Sequence, residues 1–196
     1  MDLTPKTTST EGPWGKNNKL YLWIFAEKGS QKPTQAYLQD TLDAYGRFYA
    51  HFSGTLYYYH VTNYWDASDV SPATNTEKLL DDLGEDTNWL KYHHNDWDPV
   101  NDIVIGWVNT GDHNGRAEIN GFFSVGCTYA LSGANWPHDS IAQHEISHNF
   151  NTHDEGTWCW EHETCIMNCC WAQLGTNYWC GGCDNTVYGN INGLWE

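Results

Sequence analysis

The sequence predicts an α/β (α+β) protein in which helices back a mixed, mostly parallel, twisted sheet. Continuous apolar runs at residues 19–28 and 102–109 are typical of strands buried on both faces. Segments with helical spacing of apolar residues lie between the predicted strands, in the order β-α-β-α-β-β. At 196 residues the chain is long enough for one domain with a sizeable core.

The first half of the chain alternates strand and helix signals. Residues 1–18 are polar and predict a flexible arm, followed by a buried strand at 19–28. Pro33 opens a predicted helix that Gly54 ends. Residues 55–62 are rich in strand-forming aromatic and β-branched residues, and 74–92 reads as a helix interrupted at its glycine.

The second half leads into a long helix. After the strand at 102–109, glycines between 111 and 121 indicate a loop, and 122–131 reads as a strand. Little regular pattern follows the helix, apart from a short element at 184–196. We therefore expect one domain over residues 19–196. Its upper lobe covers about 19–151, and its irregular, cysteine-rich lower lobe covers about 152–196.

The long helix carries signals for its start and its end. Pro137 precedes it, Asp139 or Ser140 can serve as N-cap, and Gln143 stands three residues after Ser140, as in a capping box. Asn151 is expected near its end, because asparagine tolerates the left-handed conformation that closes helices. An apolar stripe can bury the helix, and it consists of Ile141, Ala142, Ile146 and Phe150.

This helix carries the pattern H-E-x-x-H, which predicts a zinc site. His144 and His148 are four residues apart, so both face the same way and can bind one metal ion. Glu145 lies beside them, where a carboxylate can accept a proton from water that the metal activates. A turn after the helix can bring Asp154 or His153 to the metal as third ligand, and spacing favours Asp154.

The same stretch resembles the metzincin clan of zinc endopeptidases, whose motif is H-E-x-x-H-x-x-G-x-x-H/D followed by a Met-turn. Asn151 stands where the clan has glycine. Asp154 falls on the third-ligand position, as in the snapalysin-like branch. Met167 matches the Met-turn methionine, which implies an apolar floor beneath the metal. The resemblance also implies a substrate-binding edge strand between Arg116 and Tyr129.

Six of the seven cysteines lie between residues 159 and 183. In a secreted protein they would form disulfides, and at least two bridges are expected among them. The pattern of Cys159, Cys165, Cys180 and Cys183 also resembles the archaemetzincins, which carry a second zinc on four cysteines. A second, structural zinc on these four residues is therefore the alternative.

Together these observations predict a secreted zinc-dependent endopeptidase that acts on protein or peptide substrates. An archaemetzincin-like aminopeptidase and a non-catalytic zinc-binding module are the alternatives. The net charge of −16 argues against nucleic acid as a partner. No apolar run is long enough for a membrane span. Residues 1–18 contain no apolar export signal, so we expect any such signal to lie outside this sequence. A cytoplasmic location is the less favoured alternative, and we expect a monomer.

Overall fold

The computed structural model describes residues 6–9, 19–34, 36–51, 55–87 and 102–192. Over these residues the strands are β1 Lys6–Ser9, β2 Lys19–Ala26, β3 Thr55–Val61, β4 Asp102–Gly111, β5 Gly115–Ala117 and β6 Phe123–Ala130. The α-helices are α1 Tyr37–Arg47, α2 Thr76–Thr87, α3 His138–Asn149, α4 Cys169–Gln173 and α5 Gly181–Asn192. A 3₁₀ turn, Phe48–Ala50, extends α1. No helix of the described chain is both long and apolar enough to cross a membrane.

The strands form one sheet in the order β1-β3-β2-β4-β6-β5. The four inner strands are parallel to one another, and the two outer strands, β1 and β5, are antiparallel to their neighbours. The predicted fold class is confirmed.

The edge strand β1 differs from the predicted flexible arm at residues 1–18. Lys6–Ser9 pairs with Thr55–Tyr58 of β3, so these four residues gain the hydrogen-bonding partners of a sheet. Their polar composition hid this, because an edge strand needs no apolar run. The remaining residues of the arm lie outside the described part of the chain.

The sheet separates two apolar layers. Alternate residues of β2 enter each layer: Leu22 and Ile24 face α1 and α3, whereas Trp23 and Phe25 face α2. This alternation follows from the period of two in a strand. The layer on the α3 side continues into the C-terminal segment, so the lower lobe shares its core with the sheet.

Helix α2 runs through Gly84 without the interruption that the sequence predicted. A β-carbon at Gly84 would lie 3.8 Å from the ring of Phe123, so this glycine lies where the helix passes close to β6. Residues 88–92 of the predicted helix lie outside the described chain.

Helix α3 begins earlier than the capping signals suggested. Its first residue is His138, and Pro137 occupies the N-cap position without a side-chain cap, so neither Asp139 nor Ser140 serves that role. The predicted end is confirmed, because Asn151 adopts a left-handed φ of 64° just past the helix. Ten of the twelve residues of α3 are buried, so the helix is enclosed by protein around most of its circumference.

The C-terminal segment is more regular than predicted. It contains the short helix α4 and the longer α5, which begins at Gly181, ahead of the predicted start at 184. Asn168 caps α4 by accepting hydrogen bonds from the backbone of Cys170 and Trp171. This signal for a short helix was present in the sequence, but the surrounding cysteines obscured it.

Candidate metal centre

Three donor atoms converge at one point beside α3. His144 Nε2 and His148 Nε2 are 3.2 Å apart, and Asp154 Oδ1 lies 3.1 Å from the first and 3.6 Å from the second. Tetrahedral zinc with bonds of about 2.0–2.1 Å separates two nitrogen ligands by about 3.3 Å. The spacing of the three atoms therefore fits a zinc ion.

Backbone carbonyls determine which nitrogen of each histidine carries hydrogen. His144 Nδ1 is 2.8 Å from the carbonyl oxygen of Ile166, and His148 Nδ1 is 2.8 Å from that of Thr152. A carbonyl only accepts, so each Nδ1 must donate. In the neutral rings both Nε2 atoms then present lone pairs to each other. These lone pairs repel, and a cation bound between them removes the repulsion.

The turn after α3 brings Asp154, and not its neighbour His153, to the two histidines. The left-handed Asn151 reverses the chain, and the bond from His148 to Thr152 fixes the start of the loop. His153 is exposed and is absent from the donor group. Asp154 as the third zinc ligand stays a prediction, and this geometry supports it.

Glu145 lies beside the donor group with 5% of its surface exposed. Burial raises the pKa of its carboxyl, and the charge of Asp154 adds to this, whereas His144 and Arg116 act in the opposite direction; the pKa is about 7. Burial likewise lowers the pKa of His148 to about 4, and His144 contributes to that shift. A carboxylate with a pKa near neutrality can both accept and return a proton.

The candidate centre opens into a cleft of about 290 Å³. Strand β5 forms one wall, and Cys169 contributes to another. Trp136 also lines the cleft, and its ring and that of His144 pack in a T-shaped arrangement with a centroid distance of 5.1 Å. Sequence reasoning missed Trp136 and Cys169 as cleft residues, because neither belongs to a motif and only the folded chain brings them there.

Met167 is fully buried in the segment that supports His144. It follows Ile166, whose carbonyl holds His144, and its sulfur lies 3.6 Å from the hydroxyl of Thr152. Met167 is thus linked to the supports of both histidines. Its predicted role as an apolar floor is consistent with this position and stays a prediction.

All seven cysteines lie in the described chain, and two of them form one disulfide, Cys159–Cys170. The expectation of at least two bridges does not hold in this structure. The predicted group of four cysteines is also not formed, because Cys159 is bonded to Cys170 and is absent from the group that the other three form. Spacing alone could not show which of the adjacent residues Cys169 and Cys170 bonds to Cys159.

Cys165, Cys180 and Cys183 form a second group of possible metal ligands, with donor atoms within 4.8 Å of one another. Glu155 adjoins it, with Oε1 3.6 Å from the sulfur of Cys183. His162 Nε2 lies 3.3 Å from Glu155 Oε2. Glu155 and His162 also form a ligand group with Cys180, so a fourth ligand is available without Cys159.

Hydrogen bonds link the three thiols of this second group. A hydrogen bond from Cys183 lowers the pKa of Cys165 to about 6, and the same bond raises the pKa of Cys183. Burial raises the pKa of Cys180. A divalent cation bound there would favour deprotonation of all three thiols.

The fold is similar to those of two archaemetzincins and of a metalloproteinase. Archaemetzincin from Methanopyrus kandleri superposes with a TM-score of 0.57 at 13% identity, over 90% of this chain and 98% of that one. Archaemetzincin from Archaeoglobus fulgidus, solved with malonate, gives 0.52 at 12% identity, over 85% and 99%. Metalloproteinase-II from Bacteroides fragilis gives 0.59 at 16% identity, over 93% of this chain and 56% of that protein.

These likenesses establish the fold of the chain. The chain has the fold of the two archaemetzincins and of the metalloproteinase, as the motif around α3 predicted. No family model matches the sequence, and no curated protein is detectably similar to it.

Proposed function

We propose that this protein is a secreted, zinc-dependent endopeptidase. The observation that carries the proposal is the convergence of His144, His148 and Asp154 at zinc-ligand spacing, beside the buried carboxylate of Glu145. A structural zinc site would use four protein ligands, whereas three ligands beside an open cleft are typical of a catalytic one. The alternative of a non-catalytic module is disfavoured for that reason.

Zinc in a site of this type polarises the substrate carbonyl and lowers the pKa of water. His144 and His148 would hold it through Nε2, with their Nδ1–H groups fixed by backbone carbonyls. Asp154 would supply a carboxylate oxygen and reduce the net charge of the site. Glu145 would accept the proton of the attacking water and pass it to the leaving amine.

Strand β5 is suited to bind the substrate backbone. It is the last strand of the sheet and lines the cleft, so a peptide can pair with it as a further strand. Among the described residues, the carboxylates lining the cleft are Glu145 and Asp154, which the mechanism already uses. The other ionisable side chains there include His113 and Arg116, which would not attract a free amino terminus. This charge pattern favours an endopeptidase.

An aminopeptidase is the second candidate, because the fold resembles that of the archaemetzincins. The two activities are separated by a peptide whose amino terminus is acetylated. An endopeptidase cleaves it as fast as the free peptide, whereas an aminopeptidase does not cleave it.

The experiment that tests the proposal is Glu145→Ala with casein as substrate. The variant should keep its zinc and hydrolyse casein at least roughly 10²-fold more slowly, the usual scale for a positioned acid or base. Glu85→Ala is the matched control, because Glu85 is an exposed carboxylate on α2 and does not line the cleft. Full activity of Glu145→Ala would exclude the mechanism.

Secretion is supported by the Cys159–Cys170 bond, because disulfides persist in oxidising compartments. A second, structural zinc is proposed on Cys165, Cys180 and Cys183, with Glu155 or His162 completing the ligand set.

A monomer is the expected oligomeric state.

A further inference from the structure

The backbone of β5 alternates between its neighbour and the open edge. The carbonyl of Asn114 accepts a hydrogen bond from Cys127 N at 2.8 Å, and Glu118 N donates to the carbonyl of Phe123 at 3.0 Å. Both residues therefore turn their polar groups towards β6. Since antiparallel pairing alternates along a strand, the backbone groups of Gly115 and Ala117 point to the edge where a substrate would pair.

Gly115 is also in close contact with Glu145. A β-carbon built on Gly115 would lie 2.5 Å from Glu145 Oε1 and 2.7 Å from its Cγ. It would lie 2.7 Å from the backbone carbonyl oxygen of Val125 on β6. Favourable contacts between carbon atoms need about 3.5–4.0 Å, so no side chain fits unless a neighbour moves. The carboxylate of Glu145 occupies the space that a side chain at 115 would take.

Backbone conformation does not explain why residue 115 is a glycine. Gly115 is absent from the glycines with positive φ, so other residues could adopt its backbone angles. The requirement is one of space beside Glu145. This separates Gly115 from Gly133, which has a φ of 84° and open space around it.

We propose that Gly115 positions the Glu145 carboxylate against the substrate-binding edge of β5. The proposal rests on the proposed function, in which Glu145 moves the proton. One residue then does two things: its backbone is available to pair with the peptide, and its missing side chain lets the carboxylate lie beside that peptide. A side chain at 115 would push Oε1 away from the bond to be cleaved.

The kinetic test is Gly115→Ala in the zinc-loaded enzyme. Misplacement of a catalytic group by about 1 Å can cost roughly 10²-fold, so kcat should fall by about 10- to 100-fold with unchanged zinc content. KM should change less than kcat, because Ala retains the backbone groups that pair with the substrate. The matched control is Gly46→Ala in α1, where an added β-carbon meets nothing within 4 Å, and its kcat should equal that of the parent protein. An unchanged kcat in Gly115→Ala would overturn the proposal.

A double-mutant cycle in the metal-free protein separates positioning from damage to β5. The urea midpoint of unfolding is measured for Gly115→Ala in the parent protein and in Glu145→Ala, which lacks both Oε1 and Cγ. We expect the midpoint to fall more in the parent background. An equal fall in both backgrounds would assign the cost to Val125 and overturn the proposal. The urea midpoint can be measured without enzymatic activity. Absence of hydrolysis in the parent protein would therefore refute the proposed function, while the contact between Gly115 and Glu145 would still be tested by the unfolding data.

Discussion

Asp154 Oδ1 lies 3.1 Å from His144 Nε2, across the turn that the left-handed Asn151 opens. Asp154→Ala should therefore weaken zinc binding by more than the roughly 10- to 100-fold typical of residues that merely support a ligand. His153→Ala is the matched control and should keep its zinc, because His153 is exposed and outside the donor group. Zinc content after dialysis measures both. Retained zinc in Asp154→Ala with loss in His153→Ala would identify His153 as the third ligand.

Cys180 belongs to both alternative ligand groups in the lower lobe. Cys180→Ala should therefore lower the zinc content from two ions per chain to one, whichever of Glu155 and His162 completes the site. His148→Ala should lose the other ion, the one at the histidine site, and keep the ion on the cysteines. Metal analysis of the purified proteins checks this. A zinc content that Cys180→Ala leaves unchanged would show that the thiols hold no metal.

The Cys159–Cys170 bond closes a short loop. Cys170→Ala should lower the free energy of unfolding by about 2–3 kcal/mol, mainly because the unfolded chain gains freedom. Cys169→Ala tests the neighbouring thiol, which is not bonded in this structure, and should cost less. Urea unfolding without reductant gives both values, and non-reducing peptide mapping should recover the 159–170 pair. A bridge through Cys169 would contradict this pairing.

Asp82 predicts a pH dependence of stability away from the metal centre. Burial raises its pKa to about 6, the hydrogen bond from Trp65 opposes this, and the charges of Asp86 and Asp69 add to it. The pKa of this carboxyl is therefore higher in the folded chain than in the unfolded chain, where it is about 4. Its contribution to the free energy of unfolding is fully present below about pH 4 and is lost as pH rises through about 6.

Asp82→Asn keeps an acceptor for Trp65 and cannot ionise. Its gain in the free energy of unfolding over the parent protein should therefore be larger at pH 7.5 than at pH 4. We expect a difference of roughly 1 kcal/mol, after allowance for solvent screening at this half-buried position. Urea unfolding of the metal-free proteins at both pH values measures it. A gain that does not change with pH would refute the raised pKa.

The inner strands and the site helix could be predicted because their signals are local. The apolar run of β2 and the H-E-x-x-H spacing of α3 each lie within one segment. Strand β1 and the N-cap at Pro137 could not be predicted, because they depend on sheet pairing and on packing with distant residues. Chain spacing favoured Asp154 over His153, and the structure brings Asp154 to the two histidines.

The cysteines show what sequence cannot supply. Four of them matched a known spacing, yet Cys159 bonds to Cys170, and Glu155 and His162 lie beside the other three. Which sulfur atoms lie close together depends on how residues 154–183 fold back on themselves. The role of Gly115 was equally hidden, since a glycine in a predicted loop suggests a turn and not a contact with Glu145.

The enclosure of α3 has an evolutionary consequence. Ten of its twelve residues are buried, so nearly every substitution in this helix would disturb packing whatever its effect on chemistry. Related sequences should therefore vary little along the whole helix, and invariance there would not distinguish Glu145 from a neighbour such as Ile146. The informative positions are the exposed ones: an Asp154 retained among relatives despite its accessibility would point to chemistry, since packing does not require it.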